Sequence, residues 1–395
     1  NCHLLARFDT EGELGLLELG APSASQANLL YDETDAFSDE RLAGVLLFDD
    51  PNGSTASWSG GPPPAPNGTY VTQTGPAVYR IHVASRSQKS GPAGSTDFVT
   101  STFYTVIADG RIIRDDDVGL TSAPTSADWL LSYIALAAQH FTDVRWVGSD
   151  AGAEETDIGG TPFGPVPIRE TTTGALDWAC VYNDSEAFAV GVGIFDKTSS
   201  KHAPVGPRAT RVHHQTRDVT QTSITLQSDW VRGPGTVDPS EYPAETLMHV
   251  GAYEGEPCDT IDAYHRAYQG AGTLVWDTGY IAWGEVSGGE GSSGTHFSPG
   301  GGFYWVAAPE TITENIVVHL QDAEPQPTML LYVAQLDEAS FQGVMIDDNA
   351  VAAEDIITQP AVLEGEGGVW AIDPGLWVLI GVPVQADEDI VIQVK

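Results

Sequence analysis

The chain is mainly β: a large antiparallel β-sandwich domain with one or two short helices, then a small C-terminal β-sandwich. Three observations lead there. Glycine (43) and proline (25) are abundant among 395 residues, and long helical patterns are scarce. That balance belongs to strands and turns. Alternating apolar and polar runs recur between turn signals. A Gly/Ser-rich tract at 284–302 separates a long first part from a short part whose strands are closely spaced. The resulting division is 1–275 for the large domain, 276–302 for the connection and 303–395 for the small domain.

The elements follow in chain order. A weak helical pattern runs from Ser25 to Ala43. The clearest hairpin is Phe98 to Arg114, where alternating residues lead into Asp109-Gly110, the pair that suits two positive φ values in a tight turn. After Pro124, Ser126 can cap a helix to about His140, with Trp129, Leu130, Tyr133, Ile134 and Ala137 at helical spacing. A second hairpin spans Trp178 to Asp196 and turns at Asn183-Asp184. A further strand spans Ser223 to Arg232. A second helix begins near Asp259 or Thr260 and ends at Gly270. Ile261, Tyr264, His265 and Tyr268 share one of its faces. The glycine tract then reads as a linker or loop. Beyond it, Ile316 to Val318, Leu330 to Val333, Trp377 to Val382 and Ile390 to Val394 are short strands at sandwich spacing.

The run Thr102 to Ile112, Thr-Phe-Tyr-Thr-Val-Ile-Ala-Asp-Gly-Arg-Ile, is a strand, an Asp-Gly turn and a returning strand. It resembles units of the β-supersandwich, galactose-mutarotase-like domains found in secreted polysaccharide-active proteins. The stretch Asp262-Ala263-Tyr264-His265-Arg266 resembles a helix near the end of such domains. The resemblance covers residues 1–275. It implies a supersandwich-like large domain and a carbohydrate substrate class, and it leaves the reaction open.

Charge bounds the partners. Acidic residues number 55 against 17 basic ones, for a net charge of −38. The lysines are Lys89, Lys197, Lys201 and Lys395. Such a surface repels nucleic acid and anionic membranes, and no run of basic residues offsets it. No apolar run approaches the ~20 residues that cross a bilayer. The composition fits an extracellular or cell-surface setting. The start, without Met or an apolar leader, reads as a processed or trimmed chain. Three cysteines are too few for a disulfide scaffold and lack zinc spacing. Cys180 and Cys258 are either a disulfide or two separate buried thiols; an extracytoplasmic location implies the disulfide.

The candidate chemistry follows from what an acidic sugar requires. Eliminative cleavage at a uronate needs a group that holds the carboxylate, a base and an acid. Residues 208–217 hold the densest cationic patch. There His213 and His214 are candidate catalytic groups, and Arg211, Gln215 and Arg217 are candidate substrate-binding groups. The bland alternative is a loop whose arginines pair with carboxylates. Tyr264 and His265 are further catalytic candidates, although a histidine on an apolar helix stripe is more often a core residue. His82 and His249 read as structural. Asp115, Asp116 and Asp117, placed after the first hairpin, can offer oxygen ligands to Ca²⁺ or form a solvated turn. Asp49-Asp50 and Asp347-Asp348 allow the same two readings. Serine-hydrolase, phosphate-loop and zincin motifs are absent.

Two functions fit these residues. One is a secreted carbohydrate-active protein, a polysaccharide lyase in its enzymatic form, whose partner is an acidic polysaccharide or glycan. The other is a non-catalytic structural or adhesive subunit of a surface layer, fibre or appendage, self-assembling through strand edges.

Overall fold

The computed structural model describes residues 5–8, 16–20, 43–48, 58–60, 68–91, 94–120, 126–148, 152–157, 164–171, 176–196, 210–216, 222–236, 243–253, 255–278, 297–298, 300–307, 315–361 and 375–395. In chain order the first strands are β1 (Leu5–Phe8), β2 (Leu16–Gly20), β3 (Ala43–Phe48), β4 (Trp58–Gly60), β5 (Gly68–Gln73), β6 (Val78–Gly91), β7 (Gly94–Ile107), β8 (Arg111–Leu120) and β9 (Ser126–Ala137). Next come β10 (Asp143–Gly148), β11 (Gly152–Asp157), β12 (Gly164–Thr171), β13 (Leu176–Asn183), β14 (Phe188–Asp196), β15 (Thr210–Thr216), β16 (Thr222–Thr236) and β17 (Pro243–Ala252). Helix α1 (Asp259–Gln269) precedes β18 (Thr273–Thr278), β19 (Phe297–Ser298), β20 (Phe303–Ala307), β21 (Ile316–Gln321) and β22 (Met329–Ala334). The last strands are β23 (Phe341–Ile346), β24 (Asn349–Ala350), β25 (Ile356–Ala361), β26 (Gly375–Ile380) and β27 (Asp389–Val394).

The chain divides into two compact units. Unit 1 comprises Asn1–Tyr70, His82–Tyr104 and Gly110–Asp262; unit 2 comprises Val71–Ile81, Thr105–Asp109 and Ala263–Lys395. A ten-stranded sheet runs β11-β10-β13-β14-β17-β8-β7-β6-β4, with β5 also paired to β6. A five-stranded sheet, β12-β15-β16-β9-β3, belongs to unit 1.

In unit 1, residues 178 to 182 of β13 are all buried. Trp178, Cys180 and Tyr182, two residues apart, share a face and pack with Ala189, Cys258 and Ile261. Cys180 and Cys258 are joined by a disulfide, with Cα atoms 6.0 Å apart. Beside it, Trp178 Nε1–H donates to Asp262 Oδ1 at 3.0 Å. The start of α1 is thereby tied to β13 twice, by the disulfide at Cys258, the residue before the helix, and by the indole bond to Asp262 in its first turn.

Unit 2 is a sandwich of two five-stranded sheets, β18-β21-β27-β23-β24 and β19-β20-β22-β26-β25. Burial in β21 alternates through Ile316, Val318 and Leu320, as a strand covered on one face requires. Central strand β22 instead buries Met329 to Val333 without a break. Phe303, Tyr332 and Trp377 meet edge to face or tilted, with centroids 4.8 to 6.4 Å apart. Tyr304 O–H donates to the Ala271 carbonyl at 2.6 Å, which satisfies the one polar atom of that side chain.

Several expectations change. Residues 126–137 form strand β9, not a helix; only Ala138–His140 turn helically, as a short 3-10 segment. The strand sits between β16 and β3 in its sheet. An apolar run long enough for either structure is decided by its neighbours, not by its periodicity. The β7–β8 connection is three residues, Ala108 to Gly110, and among them positive φ falls on Gly110 alone, at +102°. Asp109 has no left-handed backbone, so the turn follows the three-residue hairpin pattern. A side chain at 110 would also collide with the Val250 carbonyl. Asp115, Asp116 and Asp117 continue β8 and do not form a turn. The tract at 284–302 ends in structure, because Phe297–Ser298 pairs with β20. Helix α1 lies where its pattern placed it. The helical pattern from residue 25 falls outside the described residues up to 42, and Ala43 opens β3.

Candidate functional site

The site is built on β8 and β17, neighbours within the ten-stranded sheet. In β8, residues two apart share a face, so Arg111 and Ile113 face one way while Ile112 and Arg114 face the other. The antiparallel register sets His249 opposite Arg111, Leu247 opposite Ile113, Met248 opposite Ile112 and Thr246 opposite Arg114. Cross-strand partners share a face, so Arg111 and His249 lie together on one side and Arg114 and Thr246 on the other.

All four are buried: Arg111 is 6% exposed, His249 2%, and Arg114 and Thr246 0%. Arg114 Nη2–H donates to Thr246 Oγ1 at 3.1 Å. Taking a guanidinium out of water costs several kcal/mol, and the cost is tolerable only where the group is well matched. Two such groups in four residues, in a chain of net charge −38, mark this stretch as chemically distinct.

Glycines make the room. On β14, Gly191 stands opposite His249 and Gly193 opposite Leu247. A Cβ at Gly251 would come within 3.0 Å of His249 Cε1, and one at Gly110 within 3.6 Å of its Nε2. The imidazole therefore crowds the space that a side chain at 251 would need, whereas at 110 it sits at ordinary contact distance and the obstacle is the Val250 carbonyl. In the sequence alone His249 reads as structural, and Arg111 and Arg114 read as part of a returning strand. The available signals were two arginines flanking Ile112-Ile113 in a strand and the alternating Gly191 and Gly193 of another.

The other candidates are dispersed. Arg211, His213, His214 and Gln215 lie in β15. There Arg211 stands opposite Glu170 and Gln227, and His213 opposite Pro167 and Thr225. His214 stands opposite Val166 and Ile224, and Gln215 opposite Pro165 and Ser223. Arg217 lies outside the described residues. Tyr264 and His265 are in α1, 7% and 0% exposed, on its packed side. Asp115, Asp116 and Asp117 stand opposite Glu245, Ala244 and Pro243 in the β8–β17 ladder. Among the described residues, no group of three His, Cys, Asp or Glu is placed to hold a metal ion. Asp347 Oδ1 accepts from the Asp389 N–H at 2.9 Å, closing an exposed turn. His82 stacks on Phe103, ring centroids 4.2 Å apart.

A second polar knot lies at the β13–β14 turn. Asn183 Oδ1 accepts from the N–H groups of Ser185 and Glu186 at 3.0 and 3.1 Å. Its Nδ2–H donates to the His140 carbonyl at 2.8 Å. Tyr253 O–H donates to Asp184 Oδ1 at 3.0 Å. Burial, then the hydrogen bond to Asp184 and the charges of Asp184 and Asp143, push the Tyr253 hydroxyl up to about 12. Burial likewise lowers the His140 imidazole, against the pull of Glu186.

Neither a known family pattern nor a curated protein matches the chain. Among solved structures, it is similar to a candidate aldose 1-epimerase from Escherichia coli K12, with 9% identity, a TM-score of 0.38, and coverage of 64% of this chain and 97% of that one. It is also similar to a candidate mutarotase from Salmonella typhimurium, at 8% identity and TM-score 0.37, covering 64% and 88%. A GalM/aldose epimerase homologue from C. elegans matches at 11% identity and TM-score 0.35, covering 64% and 97%.

Proposed function

We propose that the chain is a secreted carbohydrate-active protein that binds an acidic glycan, with polysaccharide lyase activity as its enzymatic form. One observation carries this reading. Arg111 and His249 are cross-strand neighbours on one face of the ten-stranded sheet, beside strand positions left bare by Gly191 and Gly193. A guanidinium offers a planar fork that fits a carboxylate, and an imidazole exchanges a proton near neutral pH. Elimination at a uronate moves the C5 proton to the base. The electron pair left behind forms the double bond, and the C4–O bond breaks as its oxygen takes a proton from an acid. Arg111 supplies the carboxylate holder and His249 the base. The Cys180–Cys258 disulfide supports residence outside the cytoplasm.

The test is to mix the full-length protein with alginate, pectin, ulvan and glycosaminoglycans and follow the absorbance of unsaturated uronate. The expected result is a rise with one class of polymer, abolished in His249→Gln while cooperative unfolding is retained. Activity kept in His249→Gln and lost in His213→Ala/His214→Ala moves the chemistry to β15. A folded protein that neither cleaves nor binds any polymer ends the reading.

A second reading, the non-catalytic extracellular subunit, is favoured by β25. Among the described residues, that six-residue strand is the last in its sheet, paired with β26 on one side. Light scattering that finds concentration-dependent assembly supports it; a monomer at all concentrations removes it.

A further inference from the structure

We infer that unit 2 is completed by the early segments 71–81 and 105–109, so that the C-terminal sequence is not a detachable module and a cut between the two parts leaves them bound. The key residue is Gln359 of β25, 2% exposed. Its Oε1 accepts from the N–H groups of Ala77 and Val78, both at 2.9 Å. Its Nε2 donates to the carbonyls of Thr74 and Val78 at 3.2 and 3.1 Å. A carboxamide has two N–H donors and two lone pairs on its oxygen, and these four bonds use them all. The partners lie 281 to 285 residues away in sequence.

Neighbouring contacts repeat the pattern. Ala77, Val78 and Ile81 are each 1% exposed. A Cβ on Gly75 would collide with Gln359 Cδ, so the segment approaches as closely as it does because residue 75 has no side chain. The Arg80 guanidinium lies over the Phe303 ring, 5.9 Å from its centroid. Thr328 O–H donates to Asp109 Oδ2 at 2.6 Å, across 219 residues. The Ala108 N–H donates to the Ala77 carbonyl at 3.0 Å, joining the two early segments to each other. Without these segments the C-terminal sequence would leave a buried carboxamide unmatched and an apolar patch uncovered, each an unfavourable state.

The experiment uses the intact chain with a protease site inserted between Ser292 and Ser293. After folding and cleavage, the two pieces should elute together on native size exclusion at the position of uncut protein; because β18 also stays on the N-terminal piece and pairs with β21, the share of the early segments is read from the Gln359 variant. They should separate only in denaturant. Gln359→Met keeps the volume and removes the four bonds; it should weaken the association of the cut pieces by about tenfold or more. Pieces that separate in native buffer, with the C-terminal piece still unfolding cooperatively, would overturn the inference. Equal association in Gln359→Met would overturn the role given to that residue.

Discussion

Thr246 Oγ1 accepts a hydrogen bond from a guanidinium that has no exposure, and that makes it a sensitive position. Thr246→Val keeps the shape and removes the oxygen. It should lower stability by about 1–3 kcal/mol in denaturant melts, while Thr246→Ser, which keeps the hydroxyl, should cost less. Tyr253 gives a pH signature. Its folded value of about 12 lies above the ordinary 10.0, so between those values the folded chain holds a proton that the unfolded chain has released. Stability from this group is whole below about pH 10 and is lost as pH climbs towards 12. Tyrosinate absorbance of the native protein minus that of Tyr253→Phe should show one hydroxyl titrating near 12. A difference curve centred near 10 would remove the burial and the Asp184 bond as its cause.

Helix α1 owes its place to its first turn. Removing the disulfide with Cys180→Ser/Cys258→Ser frees a 78-residue separation in the unfolded chain. In the chain-entropy model that costs roughly 3–5 kcal/mol. Thermal melts should fall accordingly, and amide exchange at Ile261 should quicken before that at β13. An unchanged melt would show that the Trp178–Asp262 bond and apolar packing hold the helix unaided. Helix α1 and β9 show what the sequence could tell. The stripe of Ile261, Tyr264, His265 and Tyr268 was legible because a helix capped by a turn at one end and Gly270 at the other packs one face. Ser126 to Ala137 was misread because its partners, β3 and β16, come from distant segments that local spacing does not report. The same holds for Arg111 and His249, 138 residues apart in sequence and adjacent only through the ladder of β8 with β17. The Gln359 clamp was equally out of reach, since one carboxamide bonds backbone 281 residues away.

Across the molecule, the net charge of −38 sets up self-repulsion that opposes compactness. Salt screens it over about 10 Å at 0.1 M, so the melting temperature should rise between about 0.01 M and 0.5 M salt. A falling or flat curve would mean that favourable ion pairs outweigh the repulsion. The same charge makes acidic-glycan binding a demanding claim, because the ligand is repelled everywhere except where cations are concentrated. The most direct test is calorimetric titration of the intact protein with uronate oligosaccharides and with neutral oligosaccharides of equal length. Arg111→Gln would be run in parallel, with its fold checked by circular dichroism. The account predicts saturable binding of the uronate ligand, no binding of the neutral one, and a loss of about tenfold or more in the variant. Equal binding of both ligands, or no binding of either by the folded protein, would contradict it.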